Sequence, residues 1–215
     1  MSESEAIARV RARRTPRVAV LTLASTSLQR RAILEQLRIP FETVAPDYVE
    51  EDPPDAEALE LVRRHAVGKA RSVHAEGRVT LGVDTTVVLD GRVYAKARDR
   101  EEARRLLGEL SGRTHTVVSG LCLLGLGEEI VADERTEVTF RSLSLGLLEA
   151  YLASGEWEGR AGAYAIQGLG GRLVERIEGD YLNVVGLPAA LLVTLLERHA
   201  PELLDIAPRL PERSS

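Results

Sequence analysis

RVAVLTLASTSLQRRAILEQL, residues 17–37 of this 215-residue chain, contains its clearest pattern of secondary structure. Its first eight residues form an apolar run typical of a β-strand, and a polar turn then leads into a segment in which Ile33, Leu34 and Leu37 have helical spacing. Ser27 is the predicted N-cap of this helix, whose first free N–H groups then point into the turn. Strand, Ser/Thr-rich turn and helix together predict an α/β fold with a turn suited to an anion.

The rest of the chain alternates strands with helices. VTLGVDTTVVLDGRVYAK, residues 79–96, is predicted to form two apolar half-strands around Asp84-Thr85, followed by a hairpin turn at Asp90-Gly91. Several strands are linked by hairpins, so we expect a mixed sheet rather than a parallel one. The other predicted strands are 39–45, 114–125, 129–141 and 172–179, and the other predicted helices are about 56–76, 99–110, 144–153 and 187–198.

Length and composition predict one folding unit. With 44% hydrophobic residues, the chain can bury the core of a single domain, which we place at 17–200, with flexible extensions at 1–16 and 201–215. No apolar stretch approaches the ~20 residues that cross a bilayer, and the N-terminus lacks the apolar region of a signal peptide. We therefore expect a cytoplasmic protein with no membrane partner.

Charge and the reactive side chains exclude several classes of protein. A net charge of −5 and an aromatic content of 4% disfavour a nucleic-acid-binding surface, because such surfaces combine clustered basic residues with stacking aromatics. Cys122, the only cysteine, lies in an apolar run and is expected to be a core residue. The four histidines lack zinc-ligand spacing, so any metal must be held mainly by oxygen.

Asp84 is the most informative residue, because an aspartate between apolar half-strands is costly to bury without a metal, a cation or a proton. An aspartate that caps backbone amides at a strand end is an equally open interpretation. Ser25, Ser27 and Arg30 could form a phosphate cradle, although most such turns are simply helix caps.

Three further charged residues also have two interpretations. Lys69 and Lys96 could bring positive charge to a cleft, although such lysines usually extend along the surface into solvent. Glu50 lies in an acidic loop that could reach a metal, although acidic loops are mostly solvated. No one of these residues settles the function alone.

Taken together, the motifs resemble the Maf family of septum-formation-associated nucleotide pyrophosphatases. The matching segments, in chain order, are LASTSLQRRAILEQL, PDYVEE, KA at 69–70, GVDTTVVLDG, AKARDREEARRLLGELSGRTHTVVSGL, VTF, AGAYAIQG and NVVGLP. Several separate motifs in the expected order make chance agreement improbable. The resemblance covers about 18–198 and implies an elongated mixed sheet flanked by helices, with a cleft between two lobes, related to the inosine-triphosphate pyrophosphatase fold.

The resemblance also implies a reaction, a set of site residues and a cofactor. The reaction splits the α–β anhydride of a nucleoside triphosphate. Asp84 matches the catalytic proton acceptor, and the positions that match phosphate or substrate contacts are Ser25, Arg30, Lys69 and Lys96. A divalent cation (Mg²⁺, Mn²⁺ or Co²⁺) is expected on Asp84 and Glu50, with the substrate's own oxygens completing the site. Family members are often homodimers, so a homodimer is also expected.

Base preference in the family depends on three positions, which here are Gln29, Thr85 and Gln167. The DT and IQG motifs resemble the branch that acts on dTTP and UTP, whereas the branch that prefers 7-methyl-GTP has DQ and SEG with tryptophan at the first position. This chain matches the pyrimidine branch at two positions of the three. Gln29 departs from the usual SPRR motif and is expected to broaden or shift the preference.

Two rival functions come from other classes. A non-hydrolysing nucleotide-binding regulator of cell division or septation would keep the phosphate contacts but would not require the carboxylate of Asp84. A nucleic-acid-binding module would need the basic, aromatic-rich surface that the composition argues against.

Overall fold

The computed structural model of the protein describes residues 20–53 and 56–204. Its sheet has the strand order β2-β1-β3-β5-β6-β7, and β4 pairs with β3 alone. β1 runs parallel to β2 and β3, whereas all other pairs are antiparallel, so the predicted mixed sheet is confirmed. The strands are β1 (Leu21–Ala24), β2 (Phe41–Val44), β3 (Val79–Leu89), β4 (Arg92–Tyr94), β5 (Thr114–Leu124), β6 (Ile130–Phe140) and β7 (Val174–Glu178).

Helices flank this sheet, and their starts follow local capping rules. Ser27, Asp99 and Ser144 each accept a hydrogen bond from the backbone N–H three residues further on, as the sequence predicted. A short helix at Tyr181–Val185 was not predicted, because five residues are too few for a periodic pattern. The helices are α1 (Leu28–Gln36), α2 (Ala58–Val73), α3 (Arg100–Leu110), α4 (Leu145–Ser154), α5 (Tyr181–Val185) and α6 (Ala189–His199).

The prediction of two half-strands around Asp84 was wrong, because β3 is one continuous strand. Its pairing with β5 is unbroken from Thr80 to Val88. On the other edge, β3 pairs with β1 as far as Gly82 and with β4 only from Val87. The backbone is thus uninterrupted, and what changes at Asp84 is the neighbouring strand.

Two hydrophobic cores lie along one face of the sheet, and a smaller third cluster lies under α2 on the other face. The first packs α1 and α6 on β1 and the start of β3, and the second packs α3 and α4 on the end of β3 and on β6. Val83 belongs to the first core and Val87 to the second. Thr85, which lies between them on the same face of β3, therefore marks the boundary of two lobes.

On the opposite face, α2 packs closely against β3 and β5 because glycines leave room for it. A Cβ at Gly82 would lie 2.1 Å from the carbonyl oxygen of Ala66, and one at Gly120 would lie 2.4 Å from the backbone of Val62. No side chain larger than hydrogen fits at either position. This close packing brings the side chains of α2 to the middle of β3, where Asp84 lies.

Cys122 is a fully buried core residue, as predicted, and burial raises the pKa of its thiol to about 12. The domain boundary predicted at residue 200 is too early, since Pro201–Leu203 form a 3-10 turn and Leu203 packs in the first core. The rest of the predicted extensions, 1–16 and 205–215, and the start of the first predicted strand, 17–19, lie outside the described residues. Within the described ranges, none of the helices has the length and apolar character needed to span a bilayer.

Candidate active site

The site lies where β3 has a free edge. Between the end of its pairing with β1 and the start of its pairing with β4, residues 83–86 have a strand neighbour on one side only among the described residues. The carboxyl ends of the parallel strands β1 and β2 lie at this gap. In many α/β proteins, ligands bind at the carboxyl ends of such strands. Asp84 faces α2, whereas Thr85 faces the boundary of the two cores.

The turn after β1 holds Arg30 in place. The Ser25 hydroxyl accepts from the Ser27 N–H (3.1 Å) and from Nη1 of Arg30 (3.3 Å). Nε of Arg30 donates to the Gly186 carbonyl (2.8 Å), and Nη2 donates to the Thr85 hydroxyl (3.3 Å). Burial lowers the pKa of Arg30, and the charges of Asp84 and Glu50 oppose that shift. A guanidinium keeps its charge at neutral pH, so a fixed positive charge faces the cleft.

Lys69 of α2 bridges the two carboxylates of the site. Its ammonium lies 2.5 Å from Oδ1 of Asp84 and 2.6 Å from Oε1 of Glu50. Lys69 is only 7% exposed, so it is not a lysine that extends into solvent. One ammonium therefore holds together two acidic side chains that would otherwise repel each other.

The Glu50 carboxylate is kept ionised by its neighbours. Burial alone would raise its pKa, but the hydrogen bond and charge of Lys69, with Lys96 and His65 adding to them, outweigh that effect and hold the pKa below its ordinary value. The half-exposed carboxylate is therefore charged at neutral pH. Of the two carboxylate oxygens of Asp84, Oδ1 has a hydrogen-bond partner among the described residues and Oδ2 has none. Oδ2 is therefore available to a ligand.

Three adjoining cavities share Arg30 and Lys96. The turn cavity, about 380 Å³, is lined by the Ser25–Arg30 turn together with Glu50 and Lys69. The carboxylate cavity, about 280 Å³, is lined by Asp84, Glu50 and Lys69. The glutamine cavity, about 140 Å³, is lined by Gln29, Thr85 and Gln167. The structure thus brings every site residue predicted from the sequence into one connected cleft.

The predicted residues differ in how firmly they are held. Lys96 is exposed, and it is attached to the fold through a backbone bridge with Ala161. Gln29 accepts a hydrogen bond from the Ser27 hydroxyl (3.2 Å), whereas Gln167 is exposed at the rim of its cavity. The Thr85 hydroxyl also lies 2.8 Å from that of Ser119, so it belongs to the network that fixes Arg30.

Arg160 is a cleft residue that the sequence reasoning missed. It lines both the glutamine cavity and the turn cavity, and its buried Nε has no hydrogen-bond partner among the described residues. A guanidinium without a partner at the junction of two cavities is suited to an anionic ligand. Its place in the glycine-rich loop just before AGAYAIQG was the only signal in the sequence.

The acidic residues fit a metal only if the ligand completes the site. Within the described ranges, no group of three or more His, Cys, Asp or Glu side chains is placed to hold a metal ion. Glu50 and Asp84 supply two carboxylates, and Mg²⁺ is often bound by one or two carboxylates together with substrate phosphates. The pair therefore fits a cation that arrives with a phosphorylated ligand.

The fold and the cleft define an α/β protein in which a turn that holds an arginine adjoins two carboxylates bridged by one lysine. Such a site combines contacts for a polyanion with groups able to handle a proton. The chain belongs to the Maf family. The model of this family, described as Maf-like protein, matches residues 20–199.

Similar proteins cover most of the chain. A dTTP/UTP pyrophosphatase of Symbiobacterium thermophilum is 46% identical over 178 residues, 82% of this chain and 92% of that protein. One of Myxococcus xanthus is 49% identical over 182 residues, 83% and 92% of the two chains. Among solved structures, the Ham1 protein of Staphylococcus aureus aligns with a TM-score of 0.41 and 15% identity, over 56% of this chain and 71% of that one.

Proposed function

We propose that this protein hydrolyses nucleoside triphosphates to nucleoside monophosphate and pyrophosphate. The observation that carries the proposal is that three cavities meet at Arg30 and Lys96, so that the Ser25–Arg30 turn lies beside the carboxylates of Glu50 and Asp84. The printed names of the relatives, dTTP/UTP pyrophosphatases, agree with this reaction.

Asp84 is the proposed general base. Lys69 fixes Oδ1 of the carboxylate, so the second oxygen can orient water and accept its proton as the water attacks the α-phosphate. Charge then develops on the leaving pyrophosphate, and fixed cations stabilise it most when they need not reorganise. Arg30 meets this condition through its three hydrogen bonds, and Lys96 adds a more mobile charge.

A divalent cation (Mg²⁺, Mn²⁺ or Co²⁺) is part of the proposal, with Asp84 and Glu50 as its protein ligands. When bound, such an ion polarises the phosphoryl group and lowers the pKa of water. Lys69, which lies against both carboxylates, would then add its positive charge to the phosphate-binding side of the site.

The proposed substrates are dTTP, UTP and modified pyrimidine nucleotides. The small glutamine cavity supports this choice, because it offers the amides of Gln29 and Gln167 and the hydroxyl of Thr85 as groups that can pair with a base edge. The relatives' names support the same preference. The cytoplasmic location and the homodimer expected from the sequence stay predictions.

The test is turnover of a panel of triphosphates with Mg²⁺ or Mn²⁺, with monophosphate, diphosphate and pyrophosphate quantified. We expect monophosphate and pyrophosphate, formed fastest from dTTP or UTP. Asp84→Asn should lower turnover by roughly two to four orders of magnitude and leave nucleotide binding within a few-fold. Asp133→Asn, which alters an aspartate on β6 paired with Arg63, is the matched control and should keep full activity.

Two results would count against the proposal. Near-wild-type turnover in Asp84→Asn would remove the assigned base. Tight triphosphate binding without turnover in the wild type would favour the non-hydrolysing regulator instead.

A further inference from the structure

A buried histidine of α2 contacts the acidic loop, residues 45–53, on both sides of Glu50. His65 is 2% exposed; its Nδ1 lies 2.9 Å from the Tyr48 hydroxyl, and its Nε2 lies 2.8 Å from Oδ1 of Asp52. The carboxylate oxygen of Asp52 can only accept, so Nε2 donates to it, and Nδ1 shares a hydrogen bond with the Tyr48 hydroxyl. One side chain thus fastens the loop at two points.

Other contacts seat the loop on the same helix. The Tyr48 ring lies directly over Gly68, where a Cβ would come within 2.2 Å of the ring carbons. The Tyr48 and His65 rings also meet edge to face, with 5.7 Å between their centroids. Arg64 donates to the backbone carbonyl of Glu51 (2.7 Å).

The loop depends on these contacts because it has no regular structure of its own. No helix or strand is assigned to 45–53, so its backbone is not held by the sheet. His65 and Lys69 lie one turn apart on α2 and therefore on one face of the helix. Lys69 contacts Glu50 from this face. His65 contacts Tyr48 and Asp52 from the same face.

We infer that His65 is a positioning residue, which holds the acidic loop on α2 so that Glu50 reaches Lys69 and Asp84. The inference rests on the proposed function, in which Glu50 and Asp84 together receive the cation and the triphosphate. His65 borders the carboxylate cavity, but both of its side-chain hydrogen bonds within the described residues go to the loop, so it acts through the loop. Each nitrogen of the buried His65 ring has a hydrogen-bond partner on the loop. Both nitrogens are therefore satisfied when the loop is docked on α2.

The test is His65→Leu, which keeps an apolar side chain of similar size in the core and removes both hydrogen bonds. Hydrogen exchange of the amides of 47–52 and binding of Mn²⁺ in the presence of a non-hydrolysable dUTP analogue are measured without any turnover. We expect at least tenfold faster exchange confined to the loop. We also expect about tenfold weaker Mn²⁺ binding, because the loop then holds Glu50 less firmly; loss of a direct outer partner of a metal ligand typically costs about 10–100-fold.

Two further variants make the result specific. Tyr48→Phe removes one hydrogen bond but keeps the ring over Gly68, so it should reproduce part of the effect, and it serves if His65→Leu does not fold. Asp52→Asn keeps an acceptor oxygen for Nε2 and should bind Mn²⁺ like the wild type, whereas Asp52→Ala should resemble Tyr48→Phe. A thermal midpoint measured for each variant separates loop effects from loss of the fold.

Unchanged loop exchange in His65→Leu and Tyr48→Phe would overturn the inference, and so would faster exchange with unchanged Mn²⁺ binding. Faster exchange spread evenly over the domain would reduce His65 to an ordinary core residue. Failure of the proposed function looks different, because the wild type itself would then release no pyrophosphate from any triphosphate.

Discussion

Replacing Lys69 with methionine should destabilise the protein in a pH-dependent way. Methionine fills the space of the lysine methylenes, so the loss is one of charge rather than of packing. The bond to Asp84, whose side chain is 13% exposed, is charge-assisted and contributes about 1.5–3 kcal/mol. The bond to Glu50, whose side chain is 41% exposed, is screened by solvent and adds about 0–1 kcal/mol. We therefore expect the free energy of unfolding to fall by about 1.5–4 kcal/mol at pH 7.5.

The sign of the pH dependence follows from Glu50. In the wild type, the folded-state pKa lies below the ordinary value of 4.5, so the stabilisation is present above that value and is lost as pH falls through the folded-state pKa. In Lys69→Met, two adjacent carboxylates repel each other, and the folded-state pKa of one rises. The variant should therefore be most destabilised at neutral pH, and the difference from the wild type should shrink toward pH 4.5.

Urea unfolding at pH 7.5 and at pH 4.5 measures both effects. Lys96→Met is the matched control, because Lys96 is exposed and makes no ion pair within the described residues, so its unfolding free energy should change by less than about 0.5 kcal/mol. Adding Glu50→Gln to Lys69→Met should restore part of the stability by removing one of the repelling charges. A loss below about 1 kcal/mol, or an equal loss at both pH values, would refute the assignment of Lys69 as the bridge.

Three further predictions concern other parts of the fold. Arg30→Ala should raise the KM for triphosphate at least about tenfold, whereas Arg31→Ala, at an exposed neighbouring position, should not; equal KM values would exclude Arg30 from the phosphate site. Burial lowers the pKa of His115 to about 4. The free energy of unfolding of the wild type should therefore fall by up to about 3 kcal/mol between pH 6.5 and pH 4, because the unfolded chain binds the proton first. His115→Gln should flatten that loss in urea titrations, and an unchanged slope would contradict it. Gly120→Ala should lower the free energy of unfolding by at least about 2 kcal/mol, because its Cβ meets the backbone of α2. Gly108→Ala, at an exposed and open position of α3, should raise it by about 0.5–1 kcal/mol. Similar unfolding midpoints for the two variants would contradict the close packing of α2.

Much of the local structure could be predicted from the sequence. Ser27, Asp99 and Ser144 were identified as helix caps because capping depends on atoms within three residues of the cap. The hairpin at Asp90-Gly91 followed from two residues that tolerate positive φ, which both adopt. The mixed sheet followed from hairpin-linked strands, and the family resemblance identified the site residues of the cleft other than Arg160.

The contacts among those residues could be seen only in the folded protein. Spacing along the chain did not reveal that Lys69 bridges Glu50 and Asp84, or that Arg30 is held by the Gly186 carbonyl, 156 residues away. These contacts depend on how closely α2 and the loop before α6 pack on the sheet, and that packing is the sum of many weak apolar contacts spread over the whole domain. The double anchoring of the acidic loop by His65 has the same origin: a lone histidine in a helix has no local signature, and its two partners on the loop are fixed only when the helix and the sheet have come together.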